Sequence, residues 1–226
     1  MPTIYAHTND GYCGHTDADW ATARDAVTTT AVASTTIAHY QGVSAVEQAT
    51  RGGGTAFNVY RSYFWFDTSG ITGDVSIATL YLRGFSSSSG DPIVVKSSAA
   101  IETLSSVDFA AIDGWSVGHA DGNGAGDNEG NVTKYSDEHT GTWLTNGYNN
   151  ITLNQTAFGD MKNNDDLYLC VMNYDYDLKD IEPTDDTGKN GLYYTNYTGT
   201  SRDPYIAYSV ATSDNIENTI SHGMIF

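Results

Sequence analysis

Short runs of alternating hydrophobic and polar residues recur along the chain, separated by turn-forming residues. The strongest run is residues 56–66, AFNVYRSYFWF, which predicts a β-strand. Large side chains fall on both faces of this segment at a period of two: Tyr60, Phe64 and Phe66 on one face, and Val59, Arg61, Tyr63 and Trp65 on the other. Because both faces carry large side chains, we expect both to be at least partly covered.

Similar runs predict two strands within 35–49, one on each side of Gly42. They also predict one strand each at 3–7, 76–84, 92–97, 131–136, 148–153, 166–174, 191–196 and 204–210. Two short helices are predicted, one at 104–113 where Ser105 and Asp108 have capping-box spacing, and one at 154–162. Strands do not alternate with long helices, which argues against a parallel α/β fold. The pattern predicts an all-β fold, a single antiparallel β-sandwich over residues 1–211.

Composition and charge exclude several classes of partner. The 226 residues include 28 acidic and 10 basic ones, giving a formal charge of −18. Such a charge argues against a sequence-independent grip on nucleic acid or on an anionic membrane surface. No apolar run approaches the roughly 20 residues that a membrane-spanning helix needs. The start, MPTIYAHTND, lacks the basic and apolar regions of a secretory signal, so we expect synthesis in the cytoplasm without export by that route.

The two cysteines, Cys13 and Cys170, lie far apart and form no CxxC pattern. We interpret them as two separate thiols, with Cys170 buried in a strand, and a long-range disulfide is the alternative. The C-terminal segment 212–226 is predicted to be an extension of the domain. Its apolar end, Met224, Ile225 and Phe226, is predicted to dock on its own domain or on a neighbouring subunit.

Carboxylates are densest between residues 160 and 186, where a Ca²⁺ ion would relieve their repulsion. In the segment NYDYD at 173–177, we expect Asn173, Asp175 and Asp177 to point to one side. Ca²⁺ prefers six to eight oxygen ligands, so Asp175 and Asp177 are candidate ligands, with a solvated acidic loop as the alternative. Asp121, Asn123 and Asp127 in the glycine-rich loop are a second candidate set, with an ordinary flexible loop as the alternative. The EF-hand glutamate and flanking helices are missing there, so that class of site is excluded.

Tyrosine is unusually frequent, with 16 residues. Five cluster in the second half of the chain: Tyr174, Tyr176, Tyr193, Tyr194 and Tyr197. Aromatic side chains fill sandwich cores, form subunit interfaces and stack on sugar rings, so core packing, protein contact and glycan contact all stay open. No zinc-binding histidine spacing, nucleophile elbow or phosphate-binding loop is present, and we expect no enzymatic activity.

The segment 60–84, YRSYFWFDTSGITGDVSIATLYLRG, resembles the opening of β-sandwich modules called DNRLRE-type or disaggregatase-related domains. In that pattern, a strand ending in aromatic-x-Phe-Asp is followed by a small turn and by Ala-x-Leu-x-Leu. These positions are filled here by Phe66, Asp67, Ala78, Leu80 and Leu82. Residues 202–210, RDPYIAYSV, are similar to the family's closing motif, with Asp203 inserted. The resemblance implies an antiparallel jelly-roll sandwich, often compared with carbohydrate-binding modules, and implies no catalytic residues.

Three segments in order are also similar to uncharacterised structural proteins of tailed bacteriophages. They are MPTIYA at 1–6, RGGGT to FDTSGI at 51–71, and TGTSRDPYI at 198–206. The resemblance leads us to expect a non-enzymatic structural subunit of a phage particle, present in several copies as a surface decoration or fibre component. Its partners would be copies of itself or other virion proteins. A glycan-binding module for polysaccharide, assisted by Ca²⁺, and a subunit of an extracellular filament are the alternatives.

Overall fold

The computed structural model describes residues 1–99, 104–116 and 128–211. Its strands are β1 (Thr3–Tyr5), β2 (Gly11–Asp17), β3 (Ala31–Ala33), β4 (Ala38–Ala49), β5 (Thr55–Asp67), β6 (Val75–Ser88), β7 (Pro92–Lys96), β8 (Tyr148–Thr152), β9 (Asp166–Asn173), β10 (Lys189–Tyr193) and β11 (Tyr205–Val210). The α-helices are α1 (Trp20–Arg24) and α2 (Gln155–Asn163); 3₁₀ helices span Ser106–Ala110 and Thr200–Arg202, and a π-helical turn spans Tyr174–Leu178. The predicted all-β antiparallel sandwich is confirmed.

The strands form two layers that share β6. The outer sheet has the order β1-β11-β6-β8. In the inner sheet, β5 pairs with β2 along one edge and with β4 and then β9 along the other; β3 extends β2, β7 extends β9 and β10 extends β4. The last residues of β6 pair with β10, so this strand passes from the outer sheet to the inner one. All of these pairings are antiparallel.

The inner sheet is covered on both faces, as the pattern of β5 predicts. Phe64 and Phe66 pack in the main core between the two sheets. On the opposite face, Val59 and Tyr63 pack in a second core. That core is closed by a covering layer, whose buried apolar residues include Trp20 and Ala23 of α1, Phe109 of the first 3₁₀ helix, and Leu178.

Strand β6 is longer than its predicted range of 76–84. Ala78, Leu80 and Leu82 are fully buried against the main core, in agreement with the alternation. The serine-rich segment continues the strand to Ser88 because its last residues pair with β10. Gly84 lies at the crossing point, where an added Cβ would lie 1.9 Å from the carbonyl oxygen of Leu144. Only glycine allows this close approach.

Both predicted helices are present, and their N-termini explain why. The Asp108 carboxylate accepts hydrogen bonds from the Ser105 backbone N–H at 2.6 Å and from its hydroxyl at 2.9 Å, which completes the capping box. The helix that follows is a shorter 3₁₀ helix than the predicted 104–113. The side chain of Asn154 caps α2 by accepting from the N–H groups of Thr156 and Ala157.

Two expectations about strands need correction, and three elements were not predicted. The predicted pair around Gly42 is one continuous strand, β4, with irregular pairing to β10 at that point. Residues 131–136 are not a strand and form only isolated bridges, from Lys134 to Val95 and from Ser136 to Leu153. The pattern did not reveal β2, β3 or α1, because β2 contains two glycines and a polar end, and the others are short.

Cys13 and Cys170 are both buried, and neither is in a disulfide, in agreement with the expectation of separate thiols. Cys170 lies in β9, in the strand predicted for it. Among the described residues, no helix has the length and apolar character required to cross a membrane.

Candidate functional site

Asp175 and Asp177 do not share one side of the chain, which corrects the expectation of a Ca²⁺ site formed by this pair. The segment is a π-helical turn and not a strand, so its alternate residues diverge. Asp177 is fully buried and accepts two hydrogen bonds from Arg61, at 2.8 Å from Nε and 2.7 Å from Nη2. This bidentate ion pair occupies both carboxylate oxygens.

Two further N–H groups of Arg61 are paired with carbonyl oxygens. Nη1 donates to the carbonyl oxygen of Phe109 at 2.7 Å, and Nη2 to that of Arg24 at 3.0 Å. The guanidinium carbon lies 4.2 Å from the ring centroids of both Phe109 and Trp115. Since Arg61 is on β5 and its partners are in the covering layer, this buried network fastens that layer to the inner sheet.

Asp175 instead meets two acids that the sequence did not single out. Its carboxylate and those of Asp91 and Glu138 place one oxygen each within 4.8 Å of one another. Burial, and then the charge of Asp175, raise the pKa of both Asp91 and Glu138. Lys179 donates to Asp175 at 3.3 Å. Three converging carboxylates suit a hard cation such as Ca²⁺, and only the fold brings these three distant segments together.

Two sets of predicted site residues, the second set of Ca²⁺ ligands and the C-terminal contacts, fall outside the described residues. Asp121, Asn123 and Asp127 lie outside the described residues. The same holds for Met224, Ile225 and Phe226 within the predicted extension 212–226. These expectations stay predictions.

The five clustered tyrosines separate into three environments. Tyr194 is fully buried in the main core, where its hydroxyl lies 2.6 Å from that of Ser62, and burial raises its pKa well above the usual range. It is therefore not a contact residue, which corrects that expectation. Tyr174 and Tyr176 are partly buried against the second core, and the Tyr174 hydroxyl donates to Glu129 at 2.8 Å.

Tyr193 and Tyr197 lie at the surface, where they hold an arginine between them. The guanidinium carbon of Arg202 is 4.4 Å from the ring centroid of Tyr193 and 4.1 Å from that of Tyr197. We call these three residues the arginine clamp. Gly199, with φ of 78°, allows the sharp turn into the 3₁₀ helix that positions Arg202. The ring of Phe85, 44% exposed, lies 5.3 Å from that of Tyr193 and extends the aromatic surface.

The outer sheet presents a second tyrosine-rich surface, which we call the tyrosine face. Its outward-facing residues are Thr3 and Tyr5 of β1, Tyr205, Ala207 and Ser209 of β11, Ile77, Thr79, Tyr81 and Arg83 of β6, and Tyr148, Asn150 and Thr152 of β8. The rings of Tyr81 and Tyr205 stack at 4.5 Å, and those of Tyr5 and Tyr148 lie 5.7 Å and 5.1 Å from Tyr205.

Charge is distributed unevenly around these surfaces. The tyrosine face contains no Asp or Glu, although the chain has 28 acids, and its one charged residue is Arg83. Tyr5 is 47% exposed and Ile77 is 52% exposed, so apolar area reaches solvent there. Among the described residues, no covering layer comparable to the one over the inner sheet lies on this face.

Two polar side chains that line a cleft beside β7 donate hydrogen bonds to one carboxylate. The Asp160 carboxylate accepts from Lys96 at 2.9 Å and from the Tyr135 hydroxyl at 2.6 Å. Burial opposes ionisation of Asp160, but these hydrogen bonds outweigh it and lower its pKa.

Comparison with known proteins finds no family model and no curated protein that matches the chain.

Proposed function

We propose that the protein is a non-enzymatic structural subunit of a phage particle, present in several copies at the particle surface as a decoration or fibre component. The observation that carries this proposal is the tyrosine face of the outer sheet. It is apolar enough to associate and free of the acids that dominate the rest of the chain.

The contrast between the two sheets supports an association role. In the part of the chain that the structure describes, the inner sheet has a buried core on each face, whereas the outer sheet has one on a single face. Tyrosine and arginine are enriched at protein interfaces, and aspartate and glutamate are depleted there. The composition of the tyrosine face follows this pattern, and the resemblance of three ordered segments to phage structural proteins is the reason for proposing a phage particle.

Particle association is the direct test of this proposal. Particles of a phage that encodes the chain would be purified on a density gradient, and their proteins quantified by mass spectrometry. We expect the chain to co-purify at a constant ratio of several copies for each particle. Recovery only in the soluble lysate fraction would contradict the proposal.

Glycan binding is a second candidate function, favoured by a specific feature of the same face. Four tyrosines lie side by side, interspersed with the hydroxyl and amide groups of Thr79, Asn150 and Thr152. Aromatic rings can stack on sugars while such polar groups bind their hydroxyls. A glycan array with the wild type and Tyr5→Ser would test this function, with Tyr40→Ser as a matched exposed control away from the face.

Calcium binding is proposed for Asp91, Glu138 and Asp175 as an accessory to either function. We expect Ca²⁺ to raise the melting temperature and a chelator to reverse the change, because the cation would neutralise carboxylates that burial, and then the charge of Asp175, disfavour, as the raised pKa of Asp91 and Glu138 indicates. Asp175→Asn should remove the response, and Asp165→Asn, at an exposed position elsewhere, should retain it. An identical melting curve with and without Ca²⁺ would exclude the ion.

A further inference from the structure

Cations in this chain are scarce, and most of them are paired. In the described structure, seven of the ten Lys and Arg side chains lie within 4.0 Å of a carboxylate oxygen. The three without such a described partner are Arg51, Arg83 and Arg202. Arg51 is exposed beside Gly52 and Gly53 in a turn, whereas the other two are held against aromatic rings.

Arg202 is oriented by the clamp but is not neutralised by any described carboxylate. Its guanidinium rests on two tyrosine rings, at 4.4 Å and 4.1 Å. Stacking fixes the plane of the guanidinium, so less side-chain freedom is lost when it binds a planar anion. The five N–H donors of an arginine match a carboxylate in bidentate fashion. The clamp is therefore a prepared binding position for a carboxylate.

Arg83 extends this position towards the tyrosine face. Its guanidinium carbon lies 5.8 Å from the ring of Tyr148, and its buried Nε has no hydrogen-bond acceptor in the described structure. The Tyr148 hydroxyl donates to the carbonyl oxygen of Asp203, the residue next to Arg202. The clamp and the arginine end of the tyrosine face thus form one continuous surface.

Exposed acids lie at the opposite end of β10. The segment 181–187, which we call the acidic loop, exposes Glu182, Asp185 and Asp186 just before Lys189 begins the strand. Tyr193 of the clamp ends the same strand. With about 3.3 Å of rise for each residue, the two ends of β10 are roughly 13 Å apart. The acidic loop is held in place because the backbone N–H of Glu47 donates to Asp185 at 2.8 Å.

We propose that the arginine clamp binds the acidic loop of a second copy of this chain. The inference rests on the proposed multi-copy function and identifies the surfaces that meet. Charge complementarity favours this occupant, because Arg202 of the clamp has no described carboxylate partner and the loop carries exposed acids in a chain whose formal charge is −18. A contact between two different surfaces is heterologous, so it repeats head to tail and produces a ring or a filament.

Charge exchange between copies tests this contact. Arg202→Glu should weaken self-association at least about tenfold in sedimentation velocity, since it places a carboxylate opposite the acidic loop. The double variant Glu182→Lys/Asp185→Lys, which reverses the charge of the acidic loop, should on its own show an equally weakened self-association. Mixing the two variants should restore association, because each supplies the charge that the other lacks. Arg51→Glu is the matched control, since it makes the same change at an arginine outside the clamp.

Each outcome decides between explanations. Equal loss with Arg51→Glu, or no recovery on mixing variants that retain the wild-type melting temperature, would overturn the contact. If either variant fails to fold, the wild type still provides a test, because its association should weaken steeply as salt rises. Unaltered incorporation of Arg202→Glu into particles would overturn the clamp but leave the structural function intact. Arg202-dependent binding of polygalacturonate without self-association would identify an acidic polysaccharide as the partner instead.

Discussion

Arg61 and Arg202 occupy the same kind of local structure in two different regions. Each guanidinium lies against two aromatic rings, Phe109 and Trp115 around Arg61, and Tyr193 and Tyr197 around Arg202. Arg61 is fully buried and has Asp177 as a bidentate partner. Arg202 is partly exposed, and no described carboxylate reaches it.

The difference shows how one arrangement serves two purposes. A buried arginine must find its counter-charge within the fold, because an unpaired charge in a low-dielectric interior is very costly. A surface arginine can remain solvated and bind an external carboxylate when one arrives. The first arrangement fastens the covering layer to the inner sheet, and the second is available to a partner.

Replacing Arg61 should have the largest effect on stability. Arg61→Met leaves Asp177 buried without its cation, so we expect the free energy of unfolding to fall by about 3–5 kcal/mol in urea denaturation. The double variant Arg61→Leu/Asp177→Leu should recover part of this loss, because it removes both charges. A loss below about 1 kcal/mol for Arg61→Met would show that the pair does not anchor the covering layer.

Asp10 is a buried charged group that, unlike Arg61, has no counter-charge in the described structure. Its carboxylate accepts from the hydroxyl and the backbone amide of Thr195, and no described cation lies within 4.0 Å. Burial raises its pKa from 3.8 to about 7, against the hydrogen bonds from Thr195 and with a further contribution from the charge of Asp203. The folded state therefore favours protonated Asp10. The stabilisation of the folded state by protonated Asp10 is complete below pH 3.8 and is lost as the pH rises through about 7.

We expect this group to lower the free energy of unfolding by roughly 3 kcal/mol between about pH 5 and about pH 8. Asp10→Asn should flatten the dependence in this window, because the amide cannot ionise. Asp165→Asn, at an exposed site, should leave the dependence as it is in the wild type. The measurement is urea denaturation across the pH range, and an unchanged slope for Asp10→Asn would refute the assignment.

Replacing Arg202 should have the smallest effect on stability. Arg202→Ala removes two exposed cation–π contacts and no described ion pair, so we expect a loss below about 1 kcal/mol. The same variant should self-associate less than the wild type. Urea denaturation and sedimentation velocity on one preparation would separate the two effects. A stability loss equal to that of Arg61→Met would mean that the clamp is structural.

Local patterns predict much of the fold. The alternation in β5 correctly indicates two covered faces, and Ser105, Asp108 and Asn154 mark helix starts through side-chain caps that depend only on neighbouring residues. The crossing of β6 between sheets is not visible in its sequence, because it depends on pairing with β10, more than a hundred positions away.

The candidate site depends still more on distant contacts. The partner of Asp177 is Arg61, 116 residues earlier, and no local spacing predicts that pairing. Alternation indicates that Tyr193 and Tyr194 face opposite ways, but only the packing of Phe64 and Ser62 decides that Tyr194 is the buried one. The clamp has no sequence signature beyond two tyrosines and an arginine within one turn-rich segment.

Disulfide trapping between copies gives the most direct test of the central claim, that the arginine clamp meets the acidic loop of another copy. Thr198→Cys and Thr184→Cys place exposed thiols beside these two surfaces. The native cysteines will not compete, since both are buried and burial raises the pKa of Cys13 to about 12. Mild oxidation of the mixed variants should yield a cross-linked dimer on a non-reducing gel, well above the yield from either variant alone. An equal yield when Thr184→Cys is replaced by Ser69→Cys, at an exposed turn outside both surfaces, would contradict the account.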